Sequence, residues 1–260
     1  MKMKLLASLL LLSAMTAFTA CSKDEETKTE PEVTGSSLFV RMQQGVEPGR
    51  DTIYGVKYDA QQRIEYVYDS SFETGYKSVY NAAGQLESIV EEGPFAGGST
   101  INFSYNEGNQ LNAIVYSGGG YRYRYEFTYK DGVISQSRFY QNVGDGGAPS
   151  LSSISNYEVT DGNITNIKRY AADNVLKKET TLTYTAHENV FKPFVLLNMF
   201  ARMGYYDLAD VEHYFNKNLV SGATSGTILD VYVYTYNDKK QLIKSVSLTE
   251  GRILTRFFAY

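Results

Sequence analysis

Asp210 and His213 are the residues whose types and spacing come nearest to a catalytic acid–base pair. Side chains three positions apart share one face of a helix, so the carboxylate of Asp210 could orient the imidazole of His213. A hydrolase that uses these two residues is therefore one hypothesis. The alternative is a solvent-exposed pair, which we favour because such pairs far outnumber catalytic ones.

Other spacings that mark catalytic or metal sites are absent from the sequence. It contains no His-Glu-x-x-His zinc pair, no Gly-x-Ser-x-Gly elbow and no Gly-Lys-Ser/Thr phosphate loop. The adjacent Glu91 and Glu92 point to opposite sides of a strand, so they cannot act as a matched carboxylate pair. We therefore predict a protein that is not an enzyme and that uses no metal and no cofactor.

Cys21 is the single cysteine of the chain, and its position indicates chemistry on its sulfur. Lys2 and Lys4 precede an almost wholly apolar run, residues 5–17, and the small residue Ala20 comes directly before the cysteine. This is the order of a secretory signal, and the run is too short to cross a bilayer as a stable helix. A thiolate is nucleophilic enough to form a thioether, whereas a serine hydroxyl in its place would not react.

The segment resembles the signal of bacterial lipoproteins, in which this cysteine is acylated and the bond before it is cut. The resemblance implies that residues 1–20 are a signal peptide and that Cys21 anchors the mature chain to a membrane. An ordinary signal with a chance cysteine is the alternative. Residues 21–36 are polar, which predicts a flexible stalk of about 20 Å.

Four residues of the stalk resemble the export signal of Bacteroidetes surface lipoproteins. They are Lys23, Asp24, Glu25 and Glu26. The resemblance implies an outer-membrane lipoprotein displayed on the cell surface. The alternative is a lipoprotein that faces the periplasm, in which the acidic residues only keep the stalk soluble.

Composition narrows the classes of partner and of fold. Without Lys2 and Lys4 the mature chain has 23 basic against 29 acidic residues, a charge of −6, which disfavours nucleic acid as a partner. With Cys21 acylated no thiol remains for a disulfide or a thiolate metal site. The 23 tyrosines and 13 phenylalanines, without any tryptophan, favour an all-β protein.

The positions that these aromatic residues occupy predict strands whose two faces differ. Tyr121, Tyr123, Tyr125 and Phe127 alternate with charged residues and so share one face of a strand. We expect this face mainly to stabilise the sheet through cross-strand aromatic pairs. The functional alternative is an exposed aromatic groove that stacks on sugar rings or on a protein ligand.

One phrase recurs along the chain and predicts a repeated β-hairpin. A tyrosine, then Asn or Asp, then turn residues lead to Ile or Leu, and alternating stretches flank each copy. Near copies lie at residues 58–64, 80–86, 105–111 and 236–242, and looser copies at 129–133, 159–164 and 184–190. Ile64 and Val67, both apolar, lie three apart, which requires either a β-bulge or a sheet covered on both faces.

The phrase is similar to the tyrosine-aspartate repeat of Rhs proteins. With the cysteine signal and a late insertion, it more closely resembles uncharacterised Bacteroidetes lipoproteins that have a porin-like domain. That resemblance implies an all-β fold over residues 37–260, a curled antiparallel meander of about seven hairpins, open or half-barrel. It implies no activity.

The insertion, residues 191–218, breaks the strand pattern, and helical spacing predicts a short helical segment near 193–217 that covers one end of the curled sheet. For the whole chain we favour a non-catalytic surface module that binds a glycan or a protein, or that acts as a scaffold. An integral outer-membrane β-barrel is the second hypothesis, and the hydrolase is the third.

Overall fold

The computed structural model describes residues 41–45, 51–69, 73–93, 96–143, 147–197, 211–249 and 252–260. Sixteen antiparallel strands form one sheet in which each strand pairs with the next, and the last strand pairs with the first to close a barrel. The strands are β1 (Arg41–Gly45), β2 (Asp51–Tyr58), β3 (Ile64–Asp69), β4 (Thr74–Tyr80), β5 (Leu86–Glu92), β6 (Thr100–Tyr105), β7 (Leu111–Gly118), β8 (Tyr121–Lys130), β9 (Val133–Val143), β10 (Ser150–Thr160), β11 (Asn163–Ala171), β12 (Leu176–Glu188), β13 (Asn218–Ser225), β14 (Ile228–Tyr236), β15 (Leu242–Thr249) and β16 (Arg252–Ala259). Between β12 and β13 lie helix α1 (Lys192–Leu197) and a 3₁₀ helix (Val211–Phe215).

The predicted all-β antiparallel meander is confirmed, but the predicted extent of the sheet is wrong. The sheet has sixteen strands, whereas seven hairpins would give fourteen. It is closed, whereas an open sheet or a half-barrel was predicted. Closure comes from β1, where Met42 pairs with Tyr54 on one side and with Phe258 on the other. No complete copy of the turn phrase follows β1 or precedes β16. A count of the copies therefore missed these two strands. Residues 1–36, including Cys21 and the stalk, lie outside the described residues.

The recurring phrase forms one turn geometry at one end of the barrel. In the copy at 80–86, the Asn81 side-chain oxygen accepts hydrogen bonds from the backbone N–H groups of Ala83 and Gln85, both at 3.0 Å. The Asn81 amide group in turn donates to the Gln85 side chain at 3.0 Å. Gly84 completes the turn with a φ of 79°, a conformation that glycine adopts without a steric penalty. We call this end of the barrel the turn end.

A β-bulge follows each near copy of the phrase and explains the apolar pairs three residues apart. In the first copy Tyr58 pairs with Ile64, whereas Lys57 pairs with Tyr66, so one residue is extra on the second strand. Ile64 and Val67 are consequently both buried, at 4% and 5% exposure. The bulge therefore decides between the two alternatives that the sequence left open.

The tyrosine of the phrase ties neighbouring hairpins together. Tyr105 donates its phenol proton to the backbone carbonyl of Leu86 at 2.9 Å. The same contact joins Tyr80 to Ile64, Tyr129 to Leu111, Tyr184 to Ile164 and Tyr260 to Leu242. Each bond reaches the first residue after the preceding turn, so this tyrosine ladder links these five segments to the hairpins before them.

The interior of the barrel is apolar, and most of its outer wall is polar. Ile89, Ile101 and Ile114 are fully buried in a core that every part of the wall helps to build. The outer wall carries exposed ion pairs such as Lys57–Glu65 at 2.8 Å. The apolar side chains of the core point inwards and form one connected cluster inside the barrel.

The insertion between β12 and β13 packs into the turn end. Val195 and Val211 are almost completely buried, and Phe191 lies 5.4 Å from Phe258 of β16, measured between ring centroids. Phe215 meets Phe127 of β8 edge to face at 4.9 Å. The apolar faces of the two short helices therefore close this end of the core. Among the described residues, no helix has the length and apolar character that a membrane span requires.

Candidate functional site

A pocket of about 310 Å³ opens at the turn end, between two copies of the turn phrase and the insertion. Its walls are aromatic and amide side chains: Tyr80 and Gln85 from the second copy, Tyr105 and Asn109 from the third. Helix α1 contributes Leu196, and the 3₁₀ helix contributes Tyr214. The pocket thus exists only where the barrel wall and the insertion meet.

The tyrosine ladder holds two of the pocket walls in place. Tyr80 and Tyr105 donate their phenol protons to backbone carbonyls at 2.8 and 2.9 Å, so neither ring can rotate away without breaking a hydrogen bond. Arg63 lies over the Tyr80 ring at 4.1 Å and is itself held by Asp59 at 2.6 Å. A ligand would meet aromatic faces that are already positioned, which lowers the entropy cost of binding.

Among the described residues that line the pocket, none has a charged side chain. Burial raises the pKa of Tyr80, of Tyr105 and of Tyr214 above that of an exposed phenol, so all three stay protonated. The other polar groups are the amides of Gln85 and Asn109, which approach each other at 3.5 Å, and the hydroxyl of Ser78. Aromatic faces with amides and hydroxyls suit an uncharged ligand that carries hydroxyl groups.

A buried polar network fixes the insertion from inside the barrel. Glu212 of the 3₁₀ helix is 4% exposed and accepts hydrogen bonds from Tyr157 and from Arg169, both at 3.1 Å. Tyr157 also shares a 2.5 Å hydrogen bond with Ser137. Burial, together with the charge of Glu212, raises the pKa of Tyr157 well above its usual value. The network therefore pins the 3₁₀ helix that carries Tyr214 into the pocket.

The four residues predicted to stack on a ligand lie on the inner face of β8. Tyr121 is 40% exposed, whereas Phe127 is 4% exposed and packs against Phe215. Tyr123 and Tyr125 stack on their neighbours, with Phe139 of β9 between them at 5.9 and 4.7 Å. These contacts show that the aromatic face of β8 packs inside the barrel. Its role in ligand stacking stays a prediction.

The described residues include only one member of the predicted acid–base pair, His213, so the pair stays a prediction. Asp210 lies outside the described residues, as do Lys23, Asp24, Glu25 and Glu26. The backbone carbonyl of His213 accepts a hydrogen bond from the Asn189 side chain at 2.8 Å. Across the described residues, no group of three His, Cys, Asp or Glu side chains could hold a metal ion.

Sequence reasoning missed the residues that line the pocket. Gln85 and Asn109 have the residue types of ordinary turn residues, because the same phrase recurs at Gln241, which does not line this pocket. The recurring tyrosine and glutamine carried a usable signal, since they place similar groups at one end of the sheet. The insertion, which completes the pocket between these two turns, could be recognised in the sequence. The turns against which it packs could not.

Comparison with solved structures shows a porin-like fold. The chain is similar to a porin-like protein from Bacteroides vulgatus, with a TM-score of 0.55 and 12% identity over 85% of this chain and 98% of that one. It is also similar to a porin-like protein from Bacteroides uniformis, with a TM-score of 0.52 and 12% identity over 85% and 97%. At this identity the likeness establishes the fold alone, and it confirms the predicted porin-like β fold.

A more distant similarity extends to the TcdB2–TccC3 complex, with 14% identity over 78% of this chain and 10% of that one. Its TM-score of 0.34 is too low to indicate a common fold. No protein-family model and no curated protein matches the chain.

Proposed function

We propose that the chain is a non-catalytic lipoprotein of the outer membrane, displayed on the cell surface, whose barrel binds a short glycan in the turn-end pocket. We infer a glycan as the ligand from the pocket between Tyr80, Tyr105 and Tyr214, whose described lining residues have no charged side chain. Sugar rings present C–H faces that pack on aromatic rings and hydroxyl groups that pair with amides such as those of Gln85 and Asn109.

The location rests on the sequence, supported by the fold. Cys21 follows a signal-like segment, and the acidic residues behind it resemble a surface-export signal. The similar solved structures are described as porin-like and come from Bacteroides, which agrees with an association with the cell envelope. A barrel on a lipid-anchored stalk would hold its pocket within reach of glycans outside the cell.

The integral-barrel alternative is disfavoured by the distribution of charge on the wall. A membrane-spanning barrel needs an apolar band around its outside, where charged groups cost several kcal/mol near the bilayer centre, about 2–4 for Arg or Lys. The outer wall here carries two ion pairs. Arg124 and Glu126 of β8 are 2.5 Å apart, and Glu158 of β10 is 3.4 Å from Lys168 of β11. Most of the large apolar residues lie in the interior, and the exposed ones of β14 to β16 cover one sector of the wall rather than a band around it.

The hydrolase hypothesis has no support in the pocket. His213, the candidate base, is not among the residues that line it. Asp59 and Glu212, which belong to elements next to the pocket, are both engaged in ion pairs, with Arg63 and with Arg169. We therefore propose binding without catalysis.

A glycan array tests the binding proposal. The chain from residue 22 onwards, without the acylated cysteine, is the probe, because the barrel closes within residues 41–260. We expect Gln85→Ala with Asn109→Gly to lower the affinity for the bound glycan at least tenfold. Glycine is chosen at Asn109 because its φ is 61°.

Gln241→Ala with Lys240→Gly is the matched control. Gln241 accepts from Asn237 at 2.9 Å as Gln85 accepts from Asn81, and Lys240 has a φ of 59°. This turn does not line the pocket, so the control variant should bind as the parent chain does. Equal losses in both variants, or no glycan bound by the parent chain, would remove the pocket from the proposal.

A further inference from the structure

One sector of the outer wall differs from the rest, because it is aliphatic and exposed. Its side chains alternate with inward-facing tyrosines on β14 and continue across β15 and β16. We call it the apolar strip: Leu229, Val231, Val233, Leu248, Ile253 and Phe257. The exposed fractions are high for such residues, 59% at Leu229, 57% at Val233 and 60% at Ile253.

Strand register places three of the six side chains in one row. Val231 pairs with Leu248, and Leu248 pairs with Ile253, so these three side chains form a row across three strands. Among the described outward-facing residues of β14 to β16, the charged one is Lys244, which lies beside Phe257 in the register. A row of exposed aliphatic side chains on a water-facing wall costs solubility, and patches of this kind usually mark an interaction site.

The first strand of the described barrel lies beside this strip. The chain from Cys21 enters the described barrel at Arg41, twenty positions later, and Gln43 of β1 pairs with Phe257 of the strip. A random coil of twenty residues would span about 25 Å. In the register Phe257 of the strip lies one strand spacing and two residues from Arg41, about 10 Å, so this end of the strip lies within that distance of the start of β1.

We infer that the apolar strip rests on the lipid bilayer that holds the anchor, and this inference depends on the proposed lipidation of Cys21. Anchoring keeps the strip close to lipid at all times, so a contact too weak to bind alone is still formed. The chain as a whole is acidic, but lysines predominate where the strip meets the turn end. Lys239 and Lys240 lie in the turn between β14 and β15, together with one acidic residue, Asp238, and Lys244 follows on β15. Such lysines pair with anionic headgroups while the aliphatic side chains enter the acyl region.

The size of the strip favours lipid over a second copy of the chain. Six side chains, about half exposed, present on the order of 500 Å², which is typical of the largest patch on a monomer. A stable dimer buries about 800 Å² on each partner with a complementary shape. A bilayer has no fixed shape to match, and the covalent anchor supplies the remaining affinity.

Site-specific fluorescence in vesicles tests the inference. The full-length lipidated protein, with a new cysteine at Val233 or at Ile253, is labelled with an environment-sensitive dye and reconstituted in phosphatidylethanolamine–phosphatidylglycerol vesicles. Cys21 is the single native cysteine, and the proposed lipidation would consume its sulfur in a thioether, so the new thiol would be the one that reacts. We expect quenching by bromine-labelled acyl chains to be at least threefold stronger at both positions than at Asn102→Cys, an exposed outward position on β6.

Flotation of the same vesicles separates the two ways in which the idea can fail. Protein that does not float with vesicles lacks the anchor, which overturns the proposed lipidation and this inference together. Protein that floats but shows equal quenching at all three positions overturns the inference alone. A dimer in light scattering, with the strip labels protected from both lipid and water, would assign the strip to a second copy.

A charge variant confirms that the contact comes from the strip itself. Val233→Glu should lower quenching of the Ile253 label at least threefold while flotation is unchanged. The position is exposed, so the circular dichroism spectrum should stay that of the parent protein. Quenching that survives this substitution would also overturn the inference.

Discussion

Tyr260 donates its phenol proton to the backbone carbonyl of Leu242 at 3.0 Å. This is the contact that Tyr80, Tyr105, Tyr129 and Tyr184 make to earlier hairpins, so Tyr260 occupies the tyrosine position of a further repeat. It also lies near Tyr58 of the first repeat, whose pKa is raised by burial and then by Tyr260. The two ends of the repeat series therefore meet where the barrel closes.

Removal of one bond of the tyrosine ladder should weaken the barrel by a measurable amount. Tyr105→Phe deletes the phenol that donates to Leu86 and leaves that carbonyl with one partner fewer. We expect the free energy of unfolding to fall by about 0.5–1.5 kcal/mol, measured by urea denaturation. Tyr68→Phe, at an exposed outward position, is the control and should change stability by less than about 0.5 kcal/mol. Equal effects would contradict a structural role for the ladder.

Alkaline pH should unfold the protein cooperatively. Burial raises the pKa of Tyr54 to about 12, and burial with the neighbouring Tyr260 raises that of Tyr236 to about 12. Unfolded phenols titrate near 10, so the unfolded chain loses these protons first as the pH rises. The stability that the buried phenols contribute is complete below about pH 10 and is lost as the pH rises through their folded pKa values.

Absorbance at 295 nm checks this prediction against circular dichroism. The buried tyrosines should ionise together with loss of the β signal, above about pH 10. Independent ionisation of all tyrosines near pH 10, with the fold intact, would contradict it.

Glu212 and Arg169 should show energetic coupling. Arg169→Met leaves the Glu212 carboxylate buried with the Tyr157 phenol as a donor, which we expect to cost about 1–3 kcal/mol; the partial exposure of Arg169 keeps the loss below that of a fully buried pair. Glu212→Gln retains an acceptor for Tyr157 and should cost about 1 kcal/mol. The double variant should lose less than the sum, as measured by thermal or urea unfolding. Strict additivity would show that the two residues do not stabilise each other.

Membrane attachment and surface exposure of the protein should depend on two separate features of its N-terminal segment. Cys21→Ser should abolish acylation, so that the protein leaves the detergent phase in a Triton X-114 partition. Replacement of Asp24, Glu25 and Glu26 by alanine should leave acylation intact but protect the protein from protease added to whole cells. Alanine at Thr27, Lys28 and Thr29 is the control and should leave surface display unchanged. Display that survives the acidic replacements would favour the periplasm-facing alternative or another export signal.

Much of the fold could be predicted from local sequence, because each element depends on residues close in the chain. The Asn81 turn forms from contacts within five residues, and alternation on β8 separates Tyr125 from Arg124 without reference to other strands. The bulge was also indicated, by the spacing of Ile64 and Val67. It could not be distinguished from a two-sided sheet, because only the cross-strand register shows the extra residue.

The pocket could not be predicted, because its walls are distant in sequence. Tyr80 and Tyr214 lie on the same cavity although more than a hundred residues separate them. The apolar strip shows the same limitation. Val233 and Tyr234 alternate as on any strand, and the sequence does not say which of the two faces water.

By itself, the sequence determined the strands, the turns, the repeated hairpin and the signal-like segment that ends at Cys21. These follow from short-range physics: side-chain alternation, turn hydrogen bonds and the chemistry of a thiol. Only the tertiary structure decided that the sheet closes, that the Tyr121–Phe127 face points inwards and that the insertion completes a pocket. Closure depends on the pairing of β1 with β16, and the free energy of that contact comes from strands at opposite ends of the chain.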